Sequence, residues 1–119
     1  MDLIVRKSRL SGTAVIPASK SHTIRAVVLG SLAKGRSIIR NPLASADTQS
    51  AVDCYHSFGA EIDTSDNNCW QITGTAGKIK AVDRIIDVGN SGTTLRLAIG
   101  SAALAQPGQT TTFTGDEQI

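Results

Sequence analysis

Pro17-Ala18-Ser19-Lys20-Ser21-His22-Thr23-Ile24-Arg25 is the stretch on which the reading of the fold turns. It closes a strand-like run at Pro17 and opens a helix. Ile24, Val27, Val28, Ser31 and Leu32 follow at helical spacing with only Ser31 polar, so one face has a core to meet. The helix is expected from about Lys20 to Ala33, ended by the cationic Lys34 and then Gly35. Lys20 and Ser21 fall in its first turn, where backbone N–H groups lack intrahelical partners and the helix dipole is positive. Cationic side chains at that end are electrostatically unfavourable unless an anion meets them, so the stretch reads as a prepared anion site. Arg25 lies about one turn beyond Lys20 and Ser21, so the three can converge on one ligand. Arginine offers a planar bidentate fork and lysine a point charge, a pair suited to a ligand carrying both carboxylate and phosphate.

Other readings of the stretch are narrower. A P-loop needs phosphate-cradling glycines before Gly-Lys-Ser, and they are missing. The Ser-x-x-Lys of penicillin-recognising enzymes fails because Pro17 stands at the serine position. The plainest alternative is a surface helix that displays Lys and Arg behind a serine cap. His22 has no paired acid in sequence and is expected to face solvent.

Working outward, Asp2 to Lys7 and Gly12 to Pro17 read as strands separated by turn-forming residues. Arg36 to Arg40 is a short strand stopped by Asn41-Pro42. A second helix starts at Ser45-Ala46-Asp47-Thr48, with either Ser45 or Asp47 as its cap. Its apolar stripe is Ala51, Val52, Tyr55 and Phe58, with Asp53 and His56 on the exposed side, and Gly59 ends it. Glu61 to Thr64 and Cys69 to Thr73 read as a hairpin around Ser65-Asp66-Asn67-Asn68. Ile85 to Val88 is a further strand, and a third helix buries Leu95, Ile99, Ala102 and Ala103 before Gln106-Pro107-Gly108. Thr110 to Thr114 is the last strand. The order ββαβαβββαβ is mixed α/β (α+β), with helices packed on mixed sheets in a single domain over 1–119.

A second junction resembles the first. Asn90-Ser91-Gly92-Thr93-Thr94-Leu95-Arg96 passes from strand to helix through small hydroxyl residues, with an arginine one turn in. Gly92 lets a ligand approach the backbone, and the free N–H groups with the Thr93 and Thr94 hydroxyls suit a carboxylate or phosphate. Helix capping alone also explains most of this pattern; the recurrence of two such junctions favours a binding site. Asp47 is a supporting candidate that would hold the loop after Asn90 by accepting hydrogen bonds. The adjacent Asp116 and Glu117 point apart in regular structure and do not make a catalytic pair.

Composition narrows the classes. The 119 residues suffice for one core and not for two. With 40% apolar and 18% charged residues and a net charge of +2, the chain carries no electrostatic footprint for nucleic acid or a membrane. Only Tyr55, Phe58, Trp70 and Phe113 are aromatic, which argues against base stacking and leaves the core to small and β-branched residues. Cys54 and Cys69 lack redox or metal-ligand spacing and are expected to be free thiols. No signal-peptide pattern and no span of membrane length is present, so a cytoplasmic protein is expected.

The motifs together resemble a known family. Pro17-x-Ser19-Lys20-Ser21-x-x-x-Arg25-Ala26, Asn41-Pro42-Leu43, Ser45-x-Asp47-Thr48, Phe58-Gly59-Ala60, Asn90-Ser91-Gly92-Thr93-Thr94-x-Arg96 and Thr114-Gly115-Asp116-Glu117 occur in order. They resemble the amino-terminal part of the 5-enolpyruvylshikimate-3-phosphate synthases (3-phosphoshikimate 1-carboxyvinyltransferases), within the enolpyruvyl transferases. Lys20-Ser21 sets the chain apart from the sister enzymes that act on UDP-N-acetylglucosamine, which carry Lys-Asn there. The runner-up readings are such a UDP-N-acetylglucosamine 1-carboxyvinyltransferase-like enzyme and a non-catalytic domain for an anionic metabolite.

The resemblance implies part of a domain built from repeated strand–helix units. It implies transfer of the carboxyvinyl group of phosphoenolpyruvate to the 5-hydroxyl of shikimate 3-phosphate, in the shikimate pathway, with no metal or organic cofactor. Lys20 would contact both substrates, and Ser21 and Arg25 would bind shikimate 3-phosphate. Gly92, Asn90 and Thr93 would shape the phosphoenolpyruvate loop, where bulk at Gly92 interferes with glyphosate; Asp47 and Arg96 would support it. Residues 1–18 would pair with the other domain, leaving 19–119 as the amino-terminal part of the substrate-binding domain. The chain is expected to be a fragment of the enzyme, ending before an Arg-Pro element, with no turnover alone and with the rest of that enzyme as its partner. Two departures stand out: His22-Thr23-Ile24 replaces commoner small polar and Asn residues, and Leu97 stands where many members have proline. Leu97 is expected to alter glyphosate sensitivity, and an inhibition curve like that of proline-bearing members would reject this.

Overall fold

A computed structural model describes residues 2–80, 82 and 84–119. Regular structure begins at the decisive stretch, with helix α1 (Lys20–Leu32), then β1 (Lys34–Arg40), α2 (Ala46–Ser57), β2 (Glu61–Asp63), β3 (Cys69–Thr75), β4 (Ile86–Asp87), α3 (Gly92–Ala102) and β5 (Phe113–Thr114). The mixed α/β class holds. Antiparallel sheet β1-β3-β2 carries the helices, and a short parallel pair β4-β5 lies beside them. The hairpin expected around 65–68 forms, with Glu61 opposite Thr73 and Asp63 opposite Gln71.

The two strands expected over Asp2–Lys7 and Gly12–Pro17 do not form. Leu3, Ile4, Val5, Leu10, Val15 and Ile16 are all 78–95% exposed. An isolated pair of strands is marginal in water, because its outer N–H and C=O groups and its apolar face need a further layer. The residue pattern is strand-like, but among the described residues no strand pairs with them.

Each helix starts as its local chemistry dictates. Ser19 caps α1 by accepting from the His22 N–H at 3.3 Å. Of the two candidate caps for α2, Ser45 serves, in a capping box with Thr48. Ser91 caps α3. Helix α1 ends at Leu32, within a residue of the expected Ala33, and the turn after β3 satisfies its last carbonyls. Ala76 N–H donates to Ala33 C=O at 3.0 Å and Gly77 N–H to Leu32 C=O at 2.9 Å.

The core lies between α1, α2 and the inner face of the sheet, with Ile24, Val27, Ala51, Val52, Ile72 and Val88 as its small and β-branched part. The aromatics carry more of it than composition implied. Tyr55, Phe58 and Trp70 are buried, and Phe113 packs against them. Of the expected buried face of α3, Leu95 and Ala102 pack against the core, but its most buried line is different. Thr94, Ala98 and Ser101 are buried, whereas Ile99 is 53% exposed and Ala103 is exposed. Hydroxyls can turn inward here because they find partners: Ser91 Oγ with Thr94 Oγ1 at 2.7 Å, and Ser101 Oγ with Tyr55 Oη at 2.6 Å.

Cys54 and Cys69 are both free thiols, Cys54 buried in α2 and Cys69 half-buried at the start of β3. Burial, with the nearby Asp53 charge adding to it, pushes the Cys54 thiol from 9.0 up to about 12. Burial likewise pushes the Tyr55 phenol up to about 12, against the opposing hydrogen bond from Ser101. Both groups hold their protons more tightly folded than unfolded. Their contribution is therefore complete below pH 9 and is lost as pH rises toward 12. Iodoacetamide at pH 8 is expected to modify Cys69 first and Cys54 only on unfolding, read by peptide mass. Equal rates at the two thiols would contradict the buried placement.

Candidate functional site

Lys20 and Ser21 occupy the first turn of α1, as their spacing predicts. The surprise is the partner of Lys20. Its ammonium forms an ion pair with Asp47, in the first turn of α2, with side-chain exposures of 52% and 19%. The cation that looked unfavourable at a helix start is thus met from within the chain. Asp47 in turn complements the positive end of its own helix. Asp47, expected from sequence to hold the loop after Asn90, has Lys20 as its ion-pair partner here. The loop around Asn90 is held by Gly89 N–H on Asp87 Oδ1 at 2.8 Å, Asp116 N–H on Gly89 C=O at 3.1 Å, and Asn90 Nδ2 on Gln118 Oε1 at 2.6 Å.

Arg25 is exposed and turns back along α1, its Nη1 donating to Ser21 C=O at 3.3 Å. Its side chain lines a notch of about 180 Å³ with Val28, Leu29 and Leu97, so the guanidinium stem lies where α1 meets α3. Leu97, the departure noted in sequence, therefore touches the α1 side of the site. Proline at 97 would present a different surface to this notch.

The second junction builds a recess of about 230 Å³ lined by Asn90, Gly92, Leu95, Arg96, Gln118 and Ile119. A Cβ on Gly92 would sit 3.1 Å from Arg96 Nη1, so the guanidinium that overhangs the helix start must shift by a few tenths of an ångström to admit it. Thr93 is half-buried beside Gly92 but is not part of the recess lining. Gln118 and Ile119 were not foreseen; their part depends on Asp116 bonding back to Gly89. The structure thus pairs Lys20 with Asp47 and Arg25 with Ser21 at the start of α1, and sets Asn90, Gly92 and Arg96 as a second group around a separate recess. Among the described residues no hydrogen bond or ion pair joins the two groups. Besides a cleft of about 260 Å³ within Leu10–Ala14, two larger ones lie elsewhere. One, of about 380 Å³, is walled by α2 and Arg84–Asp87; the other, of about 390 Å³, lies beside β1-β3-β2. Arg84 in the first is tied to Ser57 at 2.8 Å, and neither gathers cations at a helix start.

Residues 4–119 match the family model of EPSP synthase (3-phosphoshikimate 1-carboxyvinyltransferase). The chain belongs to the EPSP synthase family. Its curated relatives named 3-phosphoshikimate 1-carboxyvinyltransferase include those of Ruminiclostridium cellulolyticum, 48% identical over all of this chain and 28% of that protein, and Methanothermobacter thermautotrophicus, 45% identical over 28% of that protein. The solved EPSP synthase from Acinetobacter baumannii superposes with a TM-score of 0.77 at 26% identity, over 90% of this chain and 24% of that one. The chain spans a little over a quarter of the length of its curated relatives. It is homologous to a transferase of the shikimate pathway over the whole of its own length. Among the described residues no helix is long and apolar enough to cross a membrane.

Proposed function

We propose that this chain supplies one wall of an EPSP synthase active site, which transfers the carboxyvinyl group of phosphoenolpyruvate to the 5-hydroxyl of shikimate 3-phosphate and releases phosphate. The observation that carries the reading is the ion-paired Lys20 at the start of α1, with Ser21 and Arg25 on the same turn-and-a-half of helix. Lys20 then contacts both substrates, while Ser21 and Arg25 hold shikimate 3-phosphate. Asn90, Gly92 and Thr93 face phosphoenolpyruvate, with Arg96 overhanging that loop. The physical logic is charge placement: anionic groups are held by fixed donors before the reaction, so little reorganises during it.

The reading also places residues 1–18 against another domain and the working enzyme in the cytoplasm. Catalysis by these residues alone is not expected, because the reacting groups need donors on both sides. Titration of the isotope-labelled chain with shikimate 3-phosphate tests the reading. Saturable shifts at Lys20, Ser21 and Arg25, absent with UDP-N-acetylglucosamine, are the expected result. Shifts with UDP-N-acetylglucosamine alone, or none with shikimate 3-phosphate, would reject it.

A further inference from the structure

Thr23 and Thr48 are 4% and 0% exposed, in positions where a valine of the same shape would serve packing alone. A buried hydroxyl costs stability unless it is bonded, and both are. Thr23 Oγ1 donates to Ser19 C=O at 3.0 Å and accepts from the Leu43 N–H at 3.0 Å. Thr48 Oγ1 lies 2.9 Å from Leu43 C=O and 3.0 Å from Ser45 C=O, which share its single hydrogen. It also accepts from the Ser45 N–H at 2.9 Å. Both polar groups of Leu43 are therefore bonded to threonines, its N–H to α1 and its C=O to α2.

The ends of this bridge are adjacent to the ion pair. Ser19 precedes Lys20, and Thr48 follows Asp47. A lysine side chain is long and flexible, and an ion pair open to solvent on the lysine side contributes only about 1 kcal/mol, too little to organise two helix starts by itself. The buried threonine bridge is what sets the backbone spacing over which that pair can close.

We infer that Thr23 and Thr48, joined through the backbone of Leu43, form a clasp that positions Lys20 for its ligand. The inference rests on the reading of Lys20 as a substrate-binding residue, but its test needs no substrate. The Lys20 Nζ resonance of the labelled chain reports the ion pair, and Asp47→Asn sets the signature of its loss. Thr23→Val is expected to move that resonance most of the way to the Asp47→Asn position, whereas Thr23→Ser, which keeps the hydroxyl, restores the unmodified signal. A Lys20 resonance unmoved in a folded Thr23→Val chain, or moved equally by Thr23→Ser, overturns the clasp. If Thr23→Val does not fold, the unmodified chain still decides. In low urea, exchange of the Leu43 amide and loss of the Lys20 signature are expected together, and a signature that outlasts opening of the Leu43 amide overturns the inference. Failure of shikimate 3-phosphate to bind would reject the functional reading while leaving these outcomes intact.

Discussion

Phe58→Ala is expected to remove about 4 kcal/mol of stability, the middle of the range for deleting a buried aromatic side chain. Phe58 is fully buried and packs edge-to-face with Tyr55 at 5.6 Å and Phe113 at 6.3 Å, so one ring joins α2 to β5. A chain of this size has roughly 5–15 kcal/mol in total, so the variant sits near the unfolding threshold. The loss reaches the candidate site through a continuous path. Phe113 lies opposite Ile86 in the β4-β5 pair, and just beyond β5 Asp116 bonds back to Gly89 at the Asn90 loop. Urea unfolding followed by the single buried Trp70 measures it, with Phe58→Leu as the smaller step. An unchanged midpoint for Phe58→Ala would contradict the core described above.

The second large effect is on activity. In a chimera that carries these 119 residues in place of the matching stretch of the Ruminiclostridium cellulolyticum relative, Lys20→Met should lower kcat/KM by about 10²–10³-fold. Methionine keeps much of the aliphatic stem and removes the charge, so packing is nearly conserved while the donor is lost. Phosphate release from phosphoenolpyruvate and shikimate 3-phosphate reads the effect. Rates within about threefold of the unsubstituted chimera would remove Lys20 from the site.

Much of the fold was legible because its signals are local. Ser19 and Ser45 announce helix starts, and the stripe Ala51, Val52, Tyr55 and Phe58 fixes the buried face of α2. What escaped the sequence depends on partners distant in the chain. Strand patterns before Pro17 are real, but nothing among the described residues pairs with them. The buried hydroxyl face of α3 needs Tyr55 to be in place before Ser101 reads as apolar-compatible. Gly74 is similar. A Cβ there would run into the carbonyls of Gly30 and Ala33, a close approach of β3 to α1 that no local pattern reveals. The two cationic helix starts and their glycine loop were legible as residue types. The Lys20–Asp47 pair was not, because Thr23, Leu43 and Thr48 bring α1 and α2 together across that interval.

Turnover by the unsubstituted chimera tests the central claim most directly. If α1 and the α3 loop of this chain form one wall of an EPSP synthase site, the purified chimera will release phosphate from phosphoenolpyruvate only when shikimate 3-phosphate is present. Its rate is expected within about tenfold of the parent enzyme, a difference of about 1.4 kcal/mol in barrier. A folded chimera that releases no phosphate with shikimate 3-phosphate, or releases it with UDP-N-acetylglucosamine instead, would contradict the account.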